Sequence, residues 1–374
     1  MHQTTPVIEY VHKIAIVRAN ALGDFIVTLP AIDAIRHTYP HAETVLLGRP
    51  WHQAFLKNGR NAIDRVIVVP RIKGVRDEQP YASPAEVDTF IRQMQEENFD
   101  IVINFQGDGK SVNPLITRFN AAYTVGCVGT GVVPLNRSIP FYYYQSEVVR
   151  YLEVAQLIGA HTFSLQEHVN ALPEDQEEIK PLLRSLQGKA FVVLHTIAED
   201  YRRMWPLENY PTLADQLSEK NLAVVFTGAG QDFPWVEQII SSMKSHAFNT
   251  CGQFSLGGLT ALLSHAAVVM GADTGPLHLA RAVGTPTVGV HWAPNLINWG
   301  PVTRATHHPV ISWNMHCPLC GEVPNQPVPF LPQHHCKHEV SFVRDIPVEA
   351  VMHAMNQLLH KKTLHASFDQ SISA

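Results

Sequence analysis

The chain predicts an α/β protein built from two doubly wound domains, each a parallel sheet with helices on both faces. Apolar, β-branched runs alternate with stretches of helical periodicity along most of the sequence. The polar stretch EDQEEIKPLLRSLQGK (174–189) interrupts this alternation, which then begins again. The length of 374 residues also fits two domains.

The predicted strands of the first half are short apolar runs that end in polar or glycine-containing loops. They are residues 13–19, 43–48, 64–70, 100–107 and 123–128. Helical periodicity is clearest in SPAEVDTFIRQMQEENF (83–99) and recurs in 146–160. We therefore expect a first Rossmann-like domain over residues 1–173.

The second half repeats the pattern, and we expect a second Rossmann-like domain over residues 174–346. Its predicted strands are 189–196, 222–228, 266–272 and 285–292, and its helices are 207–220, 233–245, 256–265 and 276–283. An amphipathic helix at 347–361 is expected to pack back on the first domain, and residues 362–374 are expected to be disordered. Since ligands bind outside the carboxyl ends of parallel strands, the site is expected in a cleft between the domains.

The composition excludes several classes of protein. A formal net charge of −5 argues against non-specific nucleic-acid binding. No run approaches the ~20 apolar residues of a membrane span, and Glu9 and Lys13 break the apolar N-terminal stretch that a signal peptide needs. With five cysteines, an odd number, the sequence predicts a protein of the reducing cytoplasm.

The first predicted strand leads into ALGDFIVTLPAI (21–32). Gly23 permits a tight turn, and Asp24 either caps the next helix or projects from the strand end as a general base. Pro30 limits that helix, which begins near Leu29 or kinks there. After the fourth strand, NFQGDGKS presents Lys110 and Ser111 as contacts for an anion or a sugar, or as a solvated turn.

The stretch GADTGPLHLARAVGTP (271–286) combines a strand end with a helix start. Pro276 fits the first helical turn, and Asp273 is a candidate cap. The amides of Thr274 and Gly275 then form an anion site, with His278 in the first turn. A well-capped structural helix is the alternative.

Two further loops follow strands of the second half. Arg202 or Arg203, just before a Trp-Pro pair, neutralises a phosphate or belongs to a charged loop. Asp232 in GAGQDF reaches a ribose or caps a helix, while Phe233 breaks the dinucleotide fingerprint. Because the sequence has neither a P-loop nor an Asp-x-Asp motif, a nucleotide is expected to bind without an obligatory metal.

Cysteines and histidines concentrate near the end of the second half. Cys317 and Cys320 form a Cys-x-x-Cys pair, and Cys336 and His338 follow in a proline-rich stretch. These four residues have the composition of a Cys₃His metal site with a structural metal. Reduced cysteines in an ordinary loop are the alternative.

Four stretches together resemble glycosyltransferase family 9, the heptosyltransferases of lipopolysaccharide core assembly. They are residues 21–32, 104–111, 195–206 and 271–290, and the resemblance extends over nearly all the chain. It implies a GT-B fold and an inverting, metal-independent transferase that uses a nucleotide-diphosphate sugar, usually ADP-heptose. A branch similar to this family binds iron through a Cys-x-x-Cys…Cys stretch, so the structural metal is expected to be zinc or iron.

The resemblance also implies roles for individual residues. Asp24 takes the position of the catalytic base, and the segment from Asp273 to His278 takes that of the donor site. Asp273 would hold sugar hydroxyls, the amides of Thr274 and Gly275 the phosphates, and Asp232 the ribose. Arg203 takes the position of a phosphate-binding lysine. Apart from the resemblance, Gly23, Lys110 and Ser111 are candidates for contacts with the acceptor or the cleft.

The expected function is transfer of heptose from ADP-heptose to a lipopolysaccharide-core or related glycan acceptor. The expected partners are this donor, a glycan or lipid-linked glycan, and transiently the inner-membrane surface. Alternatives are a family 9 transferase with another nucleotide-sugar donor or a protein acceptor, a nucleotide-sugar epimerase, and a non-catalytic two-lobed binding protein. A dehydrogenase is disfavoured by the broken glycine fingerprint.

Overall fold

A computed structural model describes residues 5–57, 59–162, 164–323 and 336–372, with side chains as far as His360. The chain divides into two compact units, Met1–Asn170 and Ala171–Ala374. Each contains a six-stranded sheet, and every strand pairing described is parallel. The predicted fold class is confirmed, and the division falls three residues before the predicted boundary at 173.

The sheet of the first unit has the order β3-β2-β1-β4-β5-β6. Its strands are β1 Lys13–Val17, β2 Glu43–Gly48, β3 Arg65–Val68, β4 Ile101–Asn104, β5 Tyr123–Val128 and β6 Arg137–Pro140. Its helices are α1 Leu22–Ile26, α2 Leu29–Thr38, α3 Pro50–Phe55, α4 Pro84–Glu96, α5 Val112–Ile116 and α6 Glu147–Gln156. Central strands such as β1 are buried on both faces, which explains their unbroken apolar sequences.

The second unit repeats this architecture, with the order β12-β11-β10-β7-β8-β9. Its strands are β7 Phe191–His195, β8 Ala223–Thr227, β9 Ala247–Asn249, β10 Val269–Ala272, β11 Thr287–Trp292 and β12 His307–Ser312. Its helices are α7 Pro173–Ser185, α8 Tyr210–Glu219, α9 Phe233–Ser241, α10 Leu256–His265, α11 Gly275–Ala282, α12 Ala293–Trp299 and α13 Val348–Ile372. Helix α7 occupies the polar stretch at 174–189 and packs on α10.

Three strands were not predicted, and all three lie at sheet edges. They are β6, β9 and β12, with the sequences RSIP, AFN and HHPVIS. An edge strand pairs on one side only and is partly solvated, so it needs no continuous apolar run. Periodicity therefore gives no signal for these strands.

The last helix was expected to pack on the first domain, and the contacts described for it are with the second unit. Val351 and Met355 of α13 are 0% exposed and belong to the core of the second unit, together with Trp292 of β11 and Phe342. The backbone is helical as far as Ile372, and disorder over 362–374 remains a prediction. The sequence shows that the helix has an apolar face, but it does not show which sheet covers that face.

Candidate functional site

A cavity of about 310 Å³ lies at the carboxyl ends of β7 and β8 in the second unit. This is the edge of the sheet where parallel α/β proteins bind ligands. Its lining mixes apolar and polar side chains: His195, Thr227, Asp232, Thr250, Phe254, Ser255, Leu256, Leu259 and Pro276, with the backbone of Gly228 and Ala229. Such a lining suits a nucleoside, which has an apolar ring and a hydroxylated sugar.

Asp232 borders this cavity and also organises the loop after β8. Its Oδ2 accepts a hydrogen bond of 2.7 Å from the amide of Ala229. A Cβ added at Gly228 would lie 2.8 Å from the same oxygen, so the loop requires glycine there. The capping role is thus present in the structure, and the ribose-binding role remains a prediction.

His195 also lines the cavity, and the sequence analysis did not single it out. It ends β7, and its Nδ1 lies 3.2 Å from the hydroxyl of Thr227. Burial lowers the pKa of His195 to about 4, against the opposing charge of Asp232. The ring is therefore neutral at physiological pH, and it forms an aromatic part of the cavity lining. Its position at the end of a predicted strand could have marked it as a candidate site residue.

Helix α11 begins at Gly275 next to this cavity, with Pro276 in its first turn. Thr274 is the N-cap residue, but its side chain makes no capping hydrogen bond. The first amides of the helix have no acceptor within the helix. This end of α11 has the features of an anion site, and phosphate binding by the amides of Thr274 and Gly275 remains a prediction.

Asp273 does not cap α11, contrary to prediction. Its side chain is 2% exposed, and its oxygens accept hydrogen bonds from Nε2 of His278 (3.0 Å) and Nδ2 of Asn295 (3.2 Å). Burial raises the pKa of Asp273, but the bond from His278 and the nearby charges outweigh it and hold the pKa below its usual range. The carboxylate therefore fixes His278 and Asn295, and its contact with a sugar remains a prediction.

The tautomer of His278 follows from its second neighbour. Nδ1 lies 2.5 Å from a terminal nitrogen of Arg281, one turn further along α11. Because a guanidinium only donates, Nδ1 accepts this bond and Nε2 carries the proton donated to Asp273. The buried Arg281 was missed from sequence, although the spacing of three residues on a helix was a usable signal.

Arg203 lies on a 3₁₀ turn, Tyr201–Arg203, that follows β7. Its Nη1 donates a 2.8 Å hydrogen bond to the carbonyl of Asp273, 70 residues away in sequence. Its Nε is buried and has no hydrogen-bond partner within the part of the chain described, and the nearest charge is the carboxylate of Asp200 at 3.9 Å. Arg202 instead pairs closely with Asp200. Arg203 is thus the arginine placed beside the start of α11.

In the first unit, Asp24 is the third residue of α1, just beyond β1. Its Oδ2 accepts a 3.3 Å bond from the amide of Ala21, and its Oδ1 lies 3.4 Å from Nη2 of Arg18. The side chain is 29% exposed, so it caps the helix and still reaches solvent. Gly23 lies inside α1 rather than in a tight turn, and α2 begins at Leu29, with Pro30 in its first turn.

Arg18 contacts Asp24 through both its backbone carbonyl and its carboxylate. The guanidinium is buried and donates to the carbonyls of Asp24 (2.7 Å) and Phe105 (2.6 Å) and to the hydroxyl of Tyr151 (2.8 Å). Tyr151 in turn donates to Glu147. The carboxylate of Asp24 lies against the buried positive charge, and Glu147, which also pairs with Arg150, contributes negative charge from the other side.

The other predicted residues of this unit lie in the loop after β4. Lys110 is exposed, and its amide bonds to Asp108. Ser111 packs on Gly74, where an added Cβ would lie 2.2 Å from the serine hydroxyl. The loop after β4 therefore touches the loop after β3.

Gln106 joins these loops to the one that carries Asp24. Its side-chain nitrogen donates to the carbonyl of Val75 (2.7 Å), and its oxygen accepts from the amide of Ala19 (2.9 Å). The loops after β1, β3 and β4 therefore meet at one edge of the first sheet. Asp24, in the helix that follows the loop after β1, lies at this same edge.

The four predicted metal ligands come together in the second unit. One candidate ligand atom from each of Cys317, Cys320, Cys336 and His338 lies within 4.8 Å of the others. Three sulfurs and one imidazole are a donor set that suits tetrahedral zinc or iron. We call these four residues the Cys/His cluster; the neighbouring His334 and His335 lie outside the described residues.

The backbone around Cys317 is shaped for a metal thiolate. Gly321 has a φ of +76° and donates its amide to the carbonyl of Cys317 at 2.8 Å. Burial raises the pKa of Cys317, but hydrogen bonds from the amides of Cys320 and Leu319 outweigh this effect. The net result is a pKa of about 6, below the ordinary value of a thiol. The thiolate is the form that binds a metal.

Among the described residues, no helix is long and apolar enough to cross a membrane.

The two parallel-sheet units have the GT-B fold of glycosyltransferases, and the second unit has a cavity beside a helix N-terminus and an arginine. The family model of glycosyltransferase family 9 (heptosyltransferase) matches residues 87–320, more than half of the chain. The chain belongs to glycosyltransferase family 9 and is a glycosyltransferase.

Individual relatives agree with this membership. Lipopolysaccharide heptosyltransferase 3 of Escherichia coli K12 is 21% identical over 347 residues, which cover 90% of this chain and 95% of the relative. The structure of E. coli ADP-heptose lipopolysaccharide heptosyltransferase II aligns with a TM-score of 0.71 at 15% identity, covering 94% of this chain and 99% of that one. The iron-containing dodecameric glycosyltransferase TibC of enterotoxigenic E. coli aligns with a TM-score of 0.53 at 14% identity, covering 96% and 78%. At these identities the structural likeness shows the fold.

Proposed function

We propose that this protein transfers a heptosyl residue from ADP-heptose to a hydroxyl of a lipopolysaccharide-core or related glycan acceptor, with inversion and without a catalytic metal. The observation that carries the proposal is the position of Arg203 against the Asp273 carbonyl, beside the start of α11 and the cavity at His195 and Asp232. The names of the relatives support the choice of donor and acceptor class. A lipid-linked acceptor would bring the protein to the inner-membrane surface.

The donor would bind to the second unit through three contacts. The adenosine occupies the cavity, with its ribose at Asp232. The diphosphate lies at the start of α11, where the amides of Thr274 and Gly275 and the positive charge of Arg203 meet it. His278, held in place by Asp273 and Arg281, lines the sugar end of this site.

Asp24 would act as the general base. It accepts the proton of the acceptor hydroxyl as that oxygen attacks the anomeric carbon, and the bond from this carbon to the ADP oxygen breaks. The charge that develops on ADP is stabilised by Arg203 and the end of α11. Attack and departure on opposite faces invert the anomeric centre. Lys110 and Ser111 would contact the acceptor at the same sheet edge as Asp24.

The Cys/His cluster would hold a structural zinc or iron ion. Its four ligands fit either metal, and the iron in TibC supports iron as one of the two. The transfer step described above needs no metal. Metal analysis of protein produced with each metal would show which ion is retained, and at what stoichiometry.

Calorimetric titration of ADP, UDP, GDP and CMP into the purified protein tests the donor. We expect ADP to bind selectively and Arg203→Ala to weaken ADP binding about tenfold, because a charge-assisted contact contributes roughly 1.5–3 kcal/mol. Exposed Lys220→Ala, on the loop after α8, is the matched control for loss of a positive charge. Selective binding of another nucleotide would refute ADP-heptose as the donor.

The role of Asp24 is tested by Asp24→Asn, which preserves shape and removes the base. We expect this variant to bind ADP as the wild type does and to lose about 10²–10⁴-fold in the rate of transfer from ADP-heptose. Transfer at the wild-type rate would exclude Asp24 as the base.

A further inference from the structure

The Cys/His cluster and the proposed phosphate-binding arginine border the same cavity. This cavity, of about 430 Å³, is lined by two segments that are far apart in sequence, residues 199–203 and 336–339. The first segment includes Arg203, and the second includes the ligands Cys336 and His338. We call residues 199–206 the arginine loop.

Backbone contacts tie the chain after His338 to the arginine loop. The amide of Phe342, four residues beyond His338, donates a 2.9 Å hydrogen bond to the carbonyl of Arg202. The indole of Trp205 donates a 2.9 Å bond to the carbonyl of Ile346. Phe342 and Trp205 are both 0% exposed, so these bonds are shielded from water. Only three residues separate His338 from Phe342, so the position of His338 bears on the arginine loop over a short stretch of chain.

One end of the arginine loop is held in the core by Trp205, whereas its 3₁₀ turn has little packing of its own. None of the three residues of its 3₁₀ turn, Tyr201–Arg203, is buried, and Tyr201 is 47% exposed. An exposed turn gains little from burial of apolar surface, so its geometry depends on its anchors. Its anchors include the Phe342 bond and the bond from Arg203 to the Asp273 carbonyl. Arg202 adds its pairing with Asp200 and its position over the ring of Trp292.

We propose that a metal ion bound by the Cys/His cluster positions the arginine loop and thereby sets the affinity of the protein for the diphosphate of the donor. This inference rests on the proposed donor site. None of the four ligands needs to touch the donor, because the coupling passes from His338 through Phe342 and Arg202 to Arg203. Metal ligation fixes Cys336 and His338 in place, and loss of the metal frees the segment that carries them.

Hydrogen exchange and calorimetry on the full-length protein test this coupling. The metal-loaded protein is compared with protein stripped by 1,10-phenanthroline under reducing conditions, with metal content measured by mass spectrometry. We expect stripping to speed amide exchange in peptides covering 199–206 and to weaken ADP binding about fivefold or more, a typical size for coupling between sites. Adding back zinc or ferrous iron should reverse both effects.

Three variants distinguish this coupling from a general loss of stability or folding. Cys320→Ser should reproduce the effects of stripping, because Cys320 is a ligand that does not line the cavity shared with Arg203. Cys127→Ser, in the first unit, is the matched control and should change neither measurement. In Arg203→Ala, stripping should have no further effect on ADP affinity, because the residue through which the metal acts is gone.

Each result decides the matter. Unchanged exchange of the arginine loop on stripping, or a protein that retains no zinc or iron after reconstitution, would overturn the inference. Additive effects of stripping and Arg203→Ala would also overturn it, because the metal would then act by another route. If metal-loaded wild type binds no ADP, the proposed donor site and the effect on its affinity both fail. The exchange data alone then decide whether the cluster positions the loop.

Discussion

Arg18 shows how one buried residue serves a site that it does not line. Its guanidinium is fixed by Phe105 and Tyr151 and lies against both the backbone and the carboxylate of Asp24. A buried charge is tolerated only where partners surround it, and Asp24 and Glu147 supply the opposite charge. The arrangement holds the carboxylate of Asp24 in one orientation at the sheet edge.

We therefore predict that Arg18→Met lowers kcat for transfer from ADP-heptose by about tenfold or more, because a base held in the wrong geometry loses efficiency. ADP affinity should not change, since Arg18 is in the first unit and the proposed donor site is in the second. Calorimetry and steady-state kinetics give these two values.

Arg18→Lys, which retains the positive charge, should recover part of the lost rate. Circular dichroism identifies a variant that has not folded. An equal loss of rate in both variants, with folding intact, would mean that the charge beside Asp24 is not what matters.

Asp33 on α2 is a carboxylate whose burial is unfavourable. Burial raises its pKa to about 6, and the charge of His168 only partly opposes this. Because the folded state binds the proton more tightly than the unfolded state, stability falls as the pH rises from about 4 to about 6 and stays lower above that.

Asp33→Asn should therefore stabilise the first unit at pH 7.5, by about 1–3 kcal/mol, and should have little effect at pH 4. Urea unfolding at the two pH values measures the difference. Exposed Asp345→Asn is the control. A stabilisation of equal size at both pH values would contradict a titration effect.

At the scale of elements, the loop after β4 depends on glycine at one position and merely favours it at another. Gly107 and Gly109 both have positive φ, +62° and +85°. A Cβ at Gly109 would lie 2.3 Å from the Asn113 side chain and 2.7 Å from the carbonyl of Cys127, whereas a Cβ at Gly107 meets nothing within 4 Å. The two positions share backbone strain and differ in crowding.

Gly109→Ala should cost about 2 kcal/mol or more in the free energy of unfolding, and Gly107→Ala about 1 kcal/mol, since only the first adds a steric clash to the strain. Urea unfolding of the two variants side by side tests this. Equal losses would show that the loop relaxes around the added methyl group.

The start of α11 shows that a local sequence rule does not determine what a polar side chain binds. A polar residue before a helix commonly caps it, yet Asp273 turns inward to His278 and Asn295 instead. Asn295 belongs to α12, after the next strand, so it becomes a partner only when β10 and β11 pair. Local sequence rules describe the helix, and tertiary contacts decide the use of its flanking carboxylate.

At the scale of the molecule, the last helix belongs to the second unit. Met355→Ala should destabilise that unit by about 2–5 kcal/mol, the usual cost of a cavity left by a buried methionine. Hydrogen exchange should speed up in β11 and β12, which α13 contacts, and stay unchanged in the strands of the first unit. His353→Ala, exposed on the same helix, is the control, and faster exchange confined to the first unit would reverse the assignment.

The sequence alone determined the two α/β units, the central strands and the long helices, because burial on both faces of a sheet requires continuous apolar runs. It also determined the candidate residues at strand ends, because a doubly wound sheet places its loops at one edge. The Cys/His cluster was predicted as well, since a Cys-x-x-Cys pair restricts the geometry of its own ligands.

Only the tertiary structure decided the rest. The edge strands β6, β9 and β12 give no periodic signal in the sequence. The sequence shows the apolar face of α13 but not the sheet that covers it. His195 and Arg18 acquire their roles from partners distant in the chain. The arginine loop contacts the segment after His338, although the two are more than 130 residues apart in the chain. Such contacts depend on how the whole unit packs, and no local pattern of residues encodes them.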